Sequence, residues 1–544
     1  MAVTTAAGVW AGGRWLNPTS DPGAWWTLIT RVGTGERCYR DVYVQYGPLG
    51  PYLFAAVERP FGYSALSFLL LNWILAVQAG VLLLRVARPY LTLFERLALA
   101  ALLVSVGIFA PGRARLVLSY SPAAVLAVCL GLAALLLLRR EPATRSVALS
   151  AGLLAGLAFC AKQEIGLATL AALGVPVVLR FRRLRDWGLS CLAGFAIPSA
   201  AAAAIVLRAA PLESLRHDSH LWPVGTVPAS WKSLYRLTAG LAFDWPQRVL
   251  WASVGLGSAL LLVALVSLLA TRDSRVRKSF LVLALAALAA GVAAGFAPIA
   301  AGWDPLCLSL FAAAAVGLLG VLDRNRPGRE FLAAFAVFAI LVGARAAFSG
   351  GFLWTSYSGL ARLVTAATWA FFLFLFPGIA PGGRAGALAR KILSVALALL
   401  ALRGAVAGVR ALRRPAALPL DTRRGRVWLD PPLHPFFSAL ARQLRRGESV
   451  LCVPESNGAE ALFEVRGAAP YMDLMPGWLD SRAEERLIRR FEAAPPDAVV
   501  IFRRPTAEFG VAPFGEGYGT RLAPWITAHY RLIVRDANGL LFRR

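Results

Sequence analysis

Apolar and polar positions along this chain are sorted on a long scale. Apolar runs of about membrane-spanning length recur near residues 64–84, 96–111, 117–138, 146–161, 165–179, 187–207, 249–270, 280–300, 305–322, 331–348, 362–380 and 391–409. They lack the polar face that an amphipathic soluble helix carries. This predicts a polytopic α-helical membrane protein with twelve visible spans. The stretch "VTTAAGVWAGGRWL" reads as the tail of a further, truncated first span. After about residue 410 the pattern changes. "SVLCVPE" and "DAVVIFRR" read as short strands, "SRAEERLIRRFEAA" as an amphipathic helix, and "YRLIVRDANGLLFRR" as a hairpin turning at Asn538-Gly539. The predicted organisation is a multi-span domain over 1–409 and a small α/β domain over 410–544.

Charge orients these elements. The 544 residues hold 57 Lys and Arg against 30 Asp and Glu, a net charge of +27. In a soluble chain that surplus would suggest nucleic acid; here much of it lies in the short loops between spans. One alternating set of loops carries twenty basic residues, from Arg85 through Arg139, Arg145, Arg180, Arg272 and Arg324 to Lys391. The short loops of the other set carry four: Arg113, Arg115, Lys162 and Arg362. The positive-inside rule then places loops 17–63 and 208–248, and the 410–544 domain, on the outer side. Four of the six cysteines fall in apolar runs, where they read as small buried hydrophobes. A disulfide between the other two, Cys38 and Cys452, is left open. Walker loops, dinucleotide glycine patterns and cysteine pairs at zinc spacing are absent from the sequence, which argues against ATP-driven transport within the chain.

Candidate chemistry clusters on the outer side. Asp21 stands in "NPTSDPGAWW", between Pro18 and Pro22, with Trp25 and Trp26 suited to the head-group layer. The segment "GERCYRDVYVQYGPLGPYLFAA" places Glu36 and Asp41 just before a span, kinked at Pro48 and Pro51. The blander reading of both is an interfacial loop with incidental acids. In "GLAFCAKQEIGLATL", Lys162, Gln163 and Glu164 interrupt an apolar stretch from 147 to 179. Charge there is costly unless wet or paired. It is either a Lys162–Glu164 surface turn or a cation held for a lipid phosphate. "HDSH" offers His217 and His220, with Asp218 between them, as weak metal ligands. Asp304 and Tyr357 are further outer-side residues.

The acid after the first span, the "YRD" element, the Gly-Pro-Leu step and "GLAFCAKQEIGL" together resemble the GT-C glycosyltransferases. Within them the chain is similar to the family 39-type enzymes, which include protein O-mannosyltransferases and the lipid A aminoarabinose transferase. The specific motifs occupy residues 17–56 and 152–167. The resemblance implies a bacterial inner-membrane enzyme that moves a sugar from a polyprenyl-phosphate donor to an extracytoplasmic acceptor, with inversion. It implies Asp21 as the base on the acceptor hydroxyl. Asp41 would orient the acceptor or share a divalent metal, Mg or Mn, with Asp21. Lys162 and Arg40 would hold the donor phosphate, and Tyr39, Gln45, Tyr46, Gln163 and Glu164 would line the substrate site. The chain departs from the family pattern in Pro22, which replaces a second acid, in Gly47 at the Pro-Pro-Leu step, and in Gln45, where one branch has an acid. Two other classes stay open. One is a non-catalytic subunit of the same fold. The other is a secondary transporter, which would bury acids mid-span in two matching halves, whereas the spans here are nearly free of charge.

Overall fold

The computed structural model describes residues 21–108, 121–139, 144–179, 181–219, 328–347, 418–455, 458–506 and 510–544, with scattered positions between 367 and 406. The N-terminal tail, the spans expected at 249–270, 280–300 and 305–322, and His220, Asp304 and Tyr357 lie outside the described residues.

The N-terminal segment expected as an outer loop folds as more than a loop. It forms α1 (Asp21–Gly33) and α2 (Leu49–Glu58), followed by a short 3-10 turn (Arg59–Phe61). The helical layer continues with α3 (Ala65–Ala87), α4 (Leu93–Ile108), α5 (Pro122–Leu137), α6 (Arg145–Ala161), α7 (Gln163–Leu179), α8 (Phe181–Ala209), the single turn α9 (Leu212–His217) and α10 (Arg329–Ala347). Local chemistry sets several starts. Ser64, Ser121 and Thr144 precede α3, α5 and α6, and each accepts a hydrogen bond from the backbone amide three residues on. Among the described residues, two stretches of at least 18 residues are apolar enough to cross a membrane, Ala65–Ala87 and Asp186–Ala209. Helices α5, α6 and α7 are apolar but shorter. At about 1.5 Å per residue each rises about 24–26 Å, somewhat less than the ~30 Å hydrocarbon core.

Small residues let helices α6 and α8 touch. A Cβ on Gly152 would lie 1.9 Å from the Cys191 carbonyl oxygen, and one on Gly156 would lie 2.5 Å from that of Phe195. This is the close approach a small-xxx-small spacing permits. At one end of the layer, arginines tie helix ends together. Arg139 donates to the Arg85 carbonyl at 2.9 Å and lies over the Phe331 ring at 4.0 Å. Arg390 donates to Glu95 at 2.6 Å, and Arg145 to Asp186 at 2.7 Å.

The C-terminal region begins with a hairpin of β1 (Leu418–Thr422) and β2 (Gly425–Leu429). A five-stranded sheet follows, built from β3 (Ser449–Val453), β4 (Arg466–Gly467), β5 (Ala498–Phe502), β6 (Arg531–Asp536) and β7 (Gly539–Arg543). Its order is β4-β3-β5-β7-β6, with β3 parallel to β4 and β5, and β7 antiparallel to both neighbours. Helices α11 (His434–Gln443), α12 (Ala459–Phe463), α13 (Ser481–Ala493) and α14 (Leu522–His529) pack around it. Strand alternation divides the core. Leu451, Val453 and Val499 join Leu487, Phe491 and Ile526 on one face. Val450, Cys452, Val500 and Phe502 face the opposite way, toward Phe436 and Phe437 of α11.

That second face does not stop at the expected boundary near residue 410. Its buried cluster runs into Trp25, Trp26 and Ile29 of α1, Tyr39 and Tyr46 of the following loop, and Phe54 of α2. This corrects the placing of the tryptophans at the head-group layer. Trp25 and Trp26 are 3% and 0% exposed, and the indole of Trp26 donates to the Tyr63 carbonyl at 2.9 Å. The sheet supplies an apolar partner within the protein, and two indoles bury more area there than in an interface. Cys38 and Cys452 are both buried free thiols, so the pairing left open by the sequence is not made.

Candidate functional site

Two sequence elements more than a hundred residues apart meet at one end of the helical layer. Helix α6 ends where Lys162 turns extended, at φ −150° and ψ 107°, and α7 starts at the next residue. Gly47 of the Gly-Pro-Leu step packs directly on this break. A Cβ there would stand 2.1 Å from the Cys160 carbonyl oxygen, so only glycine fits without movement. The Lys162 ammonium sits 4.2 Å from the Tyr46 ring centroid and 3.2 Å from Glu164 Oε1. The lysine side chain is 6% exposed, while Glu164 is 38% exposed. Lys162 is therefore a nearly buried cation with an aromatic floor and one carboxylate at its rim, rather than part of an exposed surface turn.

The loop from Arg37 to Tyr46 is held tightly. Tyr39 has φ +71°, a left-handed conformation that is unusual for a bulky side chain. Its amide donates to the Val42 carbonyl at 2.7 Å and its hydroxyl to the Tyr46 carbonyl at 2.5 Å. At 1% exposure Tyr39 supports the loop from beneath. Tyr46 lies between Lys162 and the Trp25 ring, with centroids 4.9 Å apart. Gln45 Nε2 donates to the Tyr46 hydroxyl at 3.3 Å. Gln163, the first residue of α7, is buried.

Asp41 keeps 41% of its side chain exposed. One carboxylate oxygen accepts from the Arg37 amide at 2.9 Å, and the other is 3.8 Å from Arg40, itself 61% exposed. Asp21 opens α1, and Pro22 follows in the first turn, where its fixed φ and missing N–H are tolerated. Arg40 thus has Asp41 beside it, while Lys162 sits with Tyr46 and Glu164. Asp41 is engaged with an amide and a guanidinium, and no group of three His, Cys, Asp or Glu converges among the described residues.

Beneath the loop lies a residue that sequence reasoning passed over. Arg31 of α1, 6% exposed, donates to Glu36 Oε2 at 2.7 Å, to the Asp41 carbonyl at 3.4 Å and to the Ala469 carbonyl at 3.0 Å. Its remaining nitrogen is 3.6 Å from Glu460 Oε2 on α12. One guanidinium thus joins α1, the Asp41 loop and the C-terminal region. Burial pushes the Glu460 carboxyl up to about 7, with Arg31 opposing the shift and Glu36 adding to it. Glu58, 1% exposed at the end of α2, is also raised by burial and accepts a hydrogen bond from Ser67. An arginine in the last turn of an apolar helix was the sequence signal for Arg31; nothing local marked its partners.

A further contact zone joins the loop after α1, the segment after α8 and α13. The Tyr43 amide donates to the Pro470 carbonyl at 2.7 Å, and its ring meets that of Tyr471 edge-on at 4.9 Å. Arg486 of α13 donates to Asp218 at 2.5 Å and to the Tyr471 hydroxyl at 2.9 Å. Arg482 reaches Glu213 at 3.1 Å. Asp218 of the "HDSH" element is therefore engaged as an ion-pair partner.

No family model matches the chain, and no curated protein matches it significantly. Among solved structures the chain is similar, over 99% of its length, to ArnT from Cupriavidus metallidurans in the apo state. That match has 14% identity, covers 97% of the other chain and has a TM-score of 0.43. It is similar over the same shares of both chains to ArnT from that organism bound to undecaprenyl phosphate, at 14% identity and a TM-score of 0.41.

Proposed function

We propose that the chain is a membrane glycosyltransferase that moves a sugar from a polyprenyl-phosphate donor to a hydroxyl acceptor on the outer face. The observation that carries this reading is the meeting of the "YRD–GPLG" loop with the Lys162 break. Gly47 lies against the Cys160 carbonyl, and Lys162 lies over Tyr46. A nearly buried cation beside apolar helices is suited to a phosphate whose lipid tail stays in the membrane. The sequence resemblance to GT-C enzymes rests on these same two elements together with Asp21 after the first span.

In the proposed reaction the acceptor hydroxyl oxygen attacks the anomeric carbon from the side opposite the phosphate. A carboxylate, Asp21, takes the hydroxyl proton as the new C–O bond forms. The anomeric C–O bond to phosphate breaks, and polyprenyl phosphate leaves with the electron pair. Lys162 stabilises that developing charge, and Arg40 assists from the loop rim. Asp41, fixed by the Arg37 amide, orients the acceptor. No step is routed through a metal.

The test uses the full chain in nanodiscs with labelled polyprenyl-phosphate sugars, undecaprenyl-linked ones included, and a membrane extract as acceptor source. Wild type is expected to transfer label, and Asp21→Asn to lose about 10²–10⁴-fold of that rate. Lys162→Ala is expected to weaken donor binding. Transfer undiminished in Asp21→Asn removes the base assignment. Donor binding without transfer from any sugar favours a non-catalytic subunit of the same fold, and no donor binding at all favours the transporter.

A further inference from the structure

The contact zone between the loop after α1, the segment after α8 and α13 forms an open cavity of about 340 Å³. Tyr43, Pro470 and Tyr471 form one wall, and Arg486, Arg489 and Arg490 of α13 form the other. Spacings of three and four residues put these arginines on one side of the helix. The acid at this place, Asp218, is already engaged: one oxygen is held by Arg486 and the other accepts from Ser214 at 2.9 Å. Arg489 and Arg490 are exposed; the nearby acid on the helix, Glu485, is hydrogen-bonded to Arg521 and feels Arg489 only through its field. The cavity therefore carries two cations beyond those its own acid neutralises. The Tyr43 and Tyr471 rings supply an apolar surface beside them.

We propose that this cavity binds the phosphate ester of a sugar or glycerol head group. A phosphate needs more than one cation to offset its charge. Guanidinium groups meet its oxygens in pairs, and the tyrosine rings suit the carbon skeleton next to the ester. Tyr43 is two residues along from Asp41, so a group anchored here lies beside the loop nominated for acceptor handling. Assigning the ligand to the acceptor rests on the transferase reading; the anion site itself does not.

The test is calorimetric titration of glucose 1-phosphate and inorganic phosphate into the full chain in phosphatidylcholine nanodiscs. Arg489→Gln/Arg490→Gln is the main variant, because both residues are exposed and removing them leaves no acid unpaired. Arg486→Lys is the second, keeping a charge beside Asp218. Saturable glucose 1-phosphate binding, weakened about tenfold or more in the double variant and by rising salt, is the expected result. Repeating the titration in nanodiscs containing phosphatidylglycerol separates the sources. Displacement of the soluble ester identifies a lipid head group as the occupant, and undiminished binding identifies a free ester. No saturable binding, or equal binding in the folded double variant, overturns the proposal and leaves α13 a solvated basic face. Ester binding without sugar transfer would refute the transferase reading alone, and transfer without ester binding would refute the site alone.

Discussion

The two ends of the helical layer use the same side chain for different purposes. At one end Arg139 donates to the carbonyls of Arg85 and Val86, in the last turn of α3, and lies over the Phe331 ring. These are carbonyls that a helix end leaves unpaired, so the guanidinium serves as a cap with favourable dipole interaction. Arg390 similarly reaches Glu95 and the Tyr90 carbonyl. At the other end, Arg486 meets Asp218 and Tyr471 across three separate segments of the chain, and its neighbours Arg489 and Arg490 face a cavity. An arginine near a helix end therefore says little about role. What distinguishes fastener from ligand-binding group is whether local carbonyls and carboxylates have already used its donors.

Breaking the second end should cost most at Gly47. Gly47→Val places side-chain carbon into the Cys160 backbone, which cannot rotate aside. Overpacking typically costs about 1–3 kcal/mol, and a backbone obstacle belongs at or above the top of that range. The expected outcome is a lower thermal midpoint together with loss of polyprenyl-phosphate binding. A normal midpoint with normal binding would mean that the loop and the helix break need not touch.

A smaller effect is expected at Glu460, and pH sets its sign. Burial raises this carboxyl from an ordinary value of 4.5 to about 7, so the folded state holds the proton more tightly than the unfolded one. Stability is then greatest below about pH 4.5 and is lost as pH rises toward 7, by at most about 1.36 kcal/mol per unit across that window. Arg31 stays paired with Glu36 throughout the comparison. The midpoint of wild type should fall from about pH 5 to 8 more steeply than that of Glu460→Gln, which carries no titrating group there. Parallel curves for the two proteins would show that Arg31 offsets the burial.

The smallest effect belongs to the arginine-rich end. Arg145 and Asp186 form a 2.7 Å pair, but their side chains are 78% and 66% exposed. Water and salt screen such a pair. Asp186→Asn should leave the thermal midpoint unchanged within error, and a clear drop would show that this end carries more of the stability than its exposure suggests.

Much of the local structure was legible in the residues. The apolar runs read at 64–84, 117–138 and 146–161 became α3, α5 and α6, because a long apolar segment is a local signal, and Ser64, Ser121 and Thr144 cap their starts. Strands β3 and β5, helix α13 and the Asn538-Gly539 hairpin follow from periodicity and turn chemistry. The site was legible only in part. Lys162 stood out because it interrupts an apolar stretch, but Tyr46 as its floor did not. Trp25 and Trp26 were misread because an apolar aromatic near a span suits a lipid interface and a protein core equally well. Arg31 and Glu460 were missed because they are 429 residues apart and neither is unusual in its own segment.

By itself, then, the sequence determined the long apolar helices and the short strands of the C-terminal region among the described residues, how basic residues distribute between the two sets of loops, and which few polar groups interrupt the apolar runs; it did not mark α1 and α2. Those properties depend on neighbours within a few turns, where backbone hydrogen bonding and side-chain period act. Tertiary structure decided that the N-terminal segment shares a core with the C-terminal sheet, that Gly47 closes on the Lys162 break, and that Tyr43, Asp218 and Arg486 meet. These depend on burial and on contacts between distant segments, and burial is a property of the packed chain, not of any residue in it.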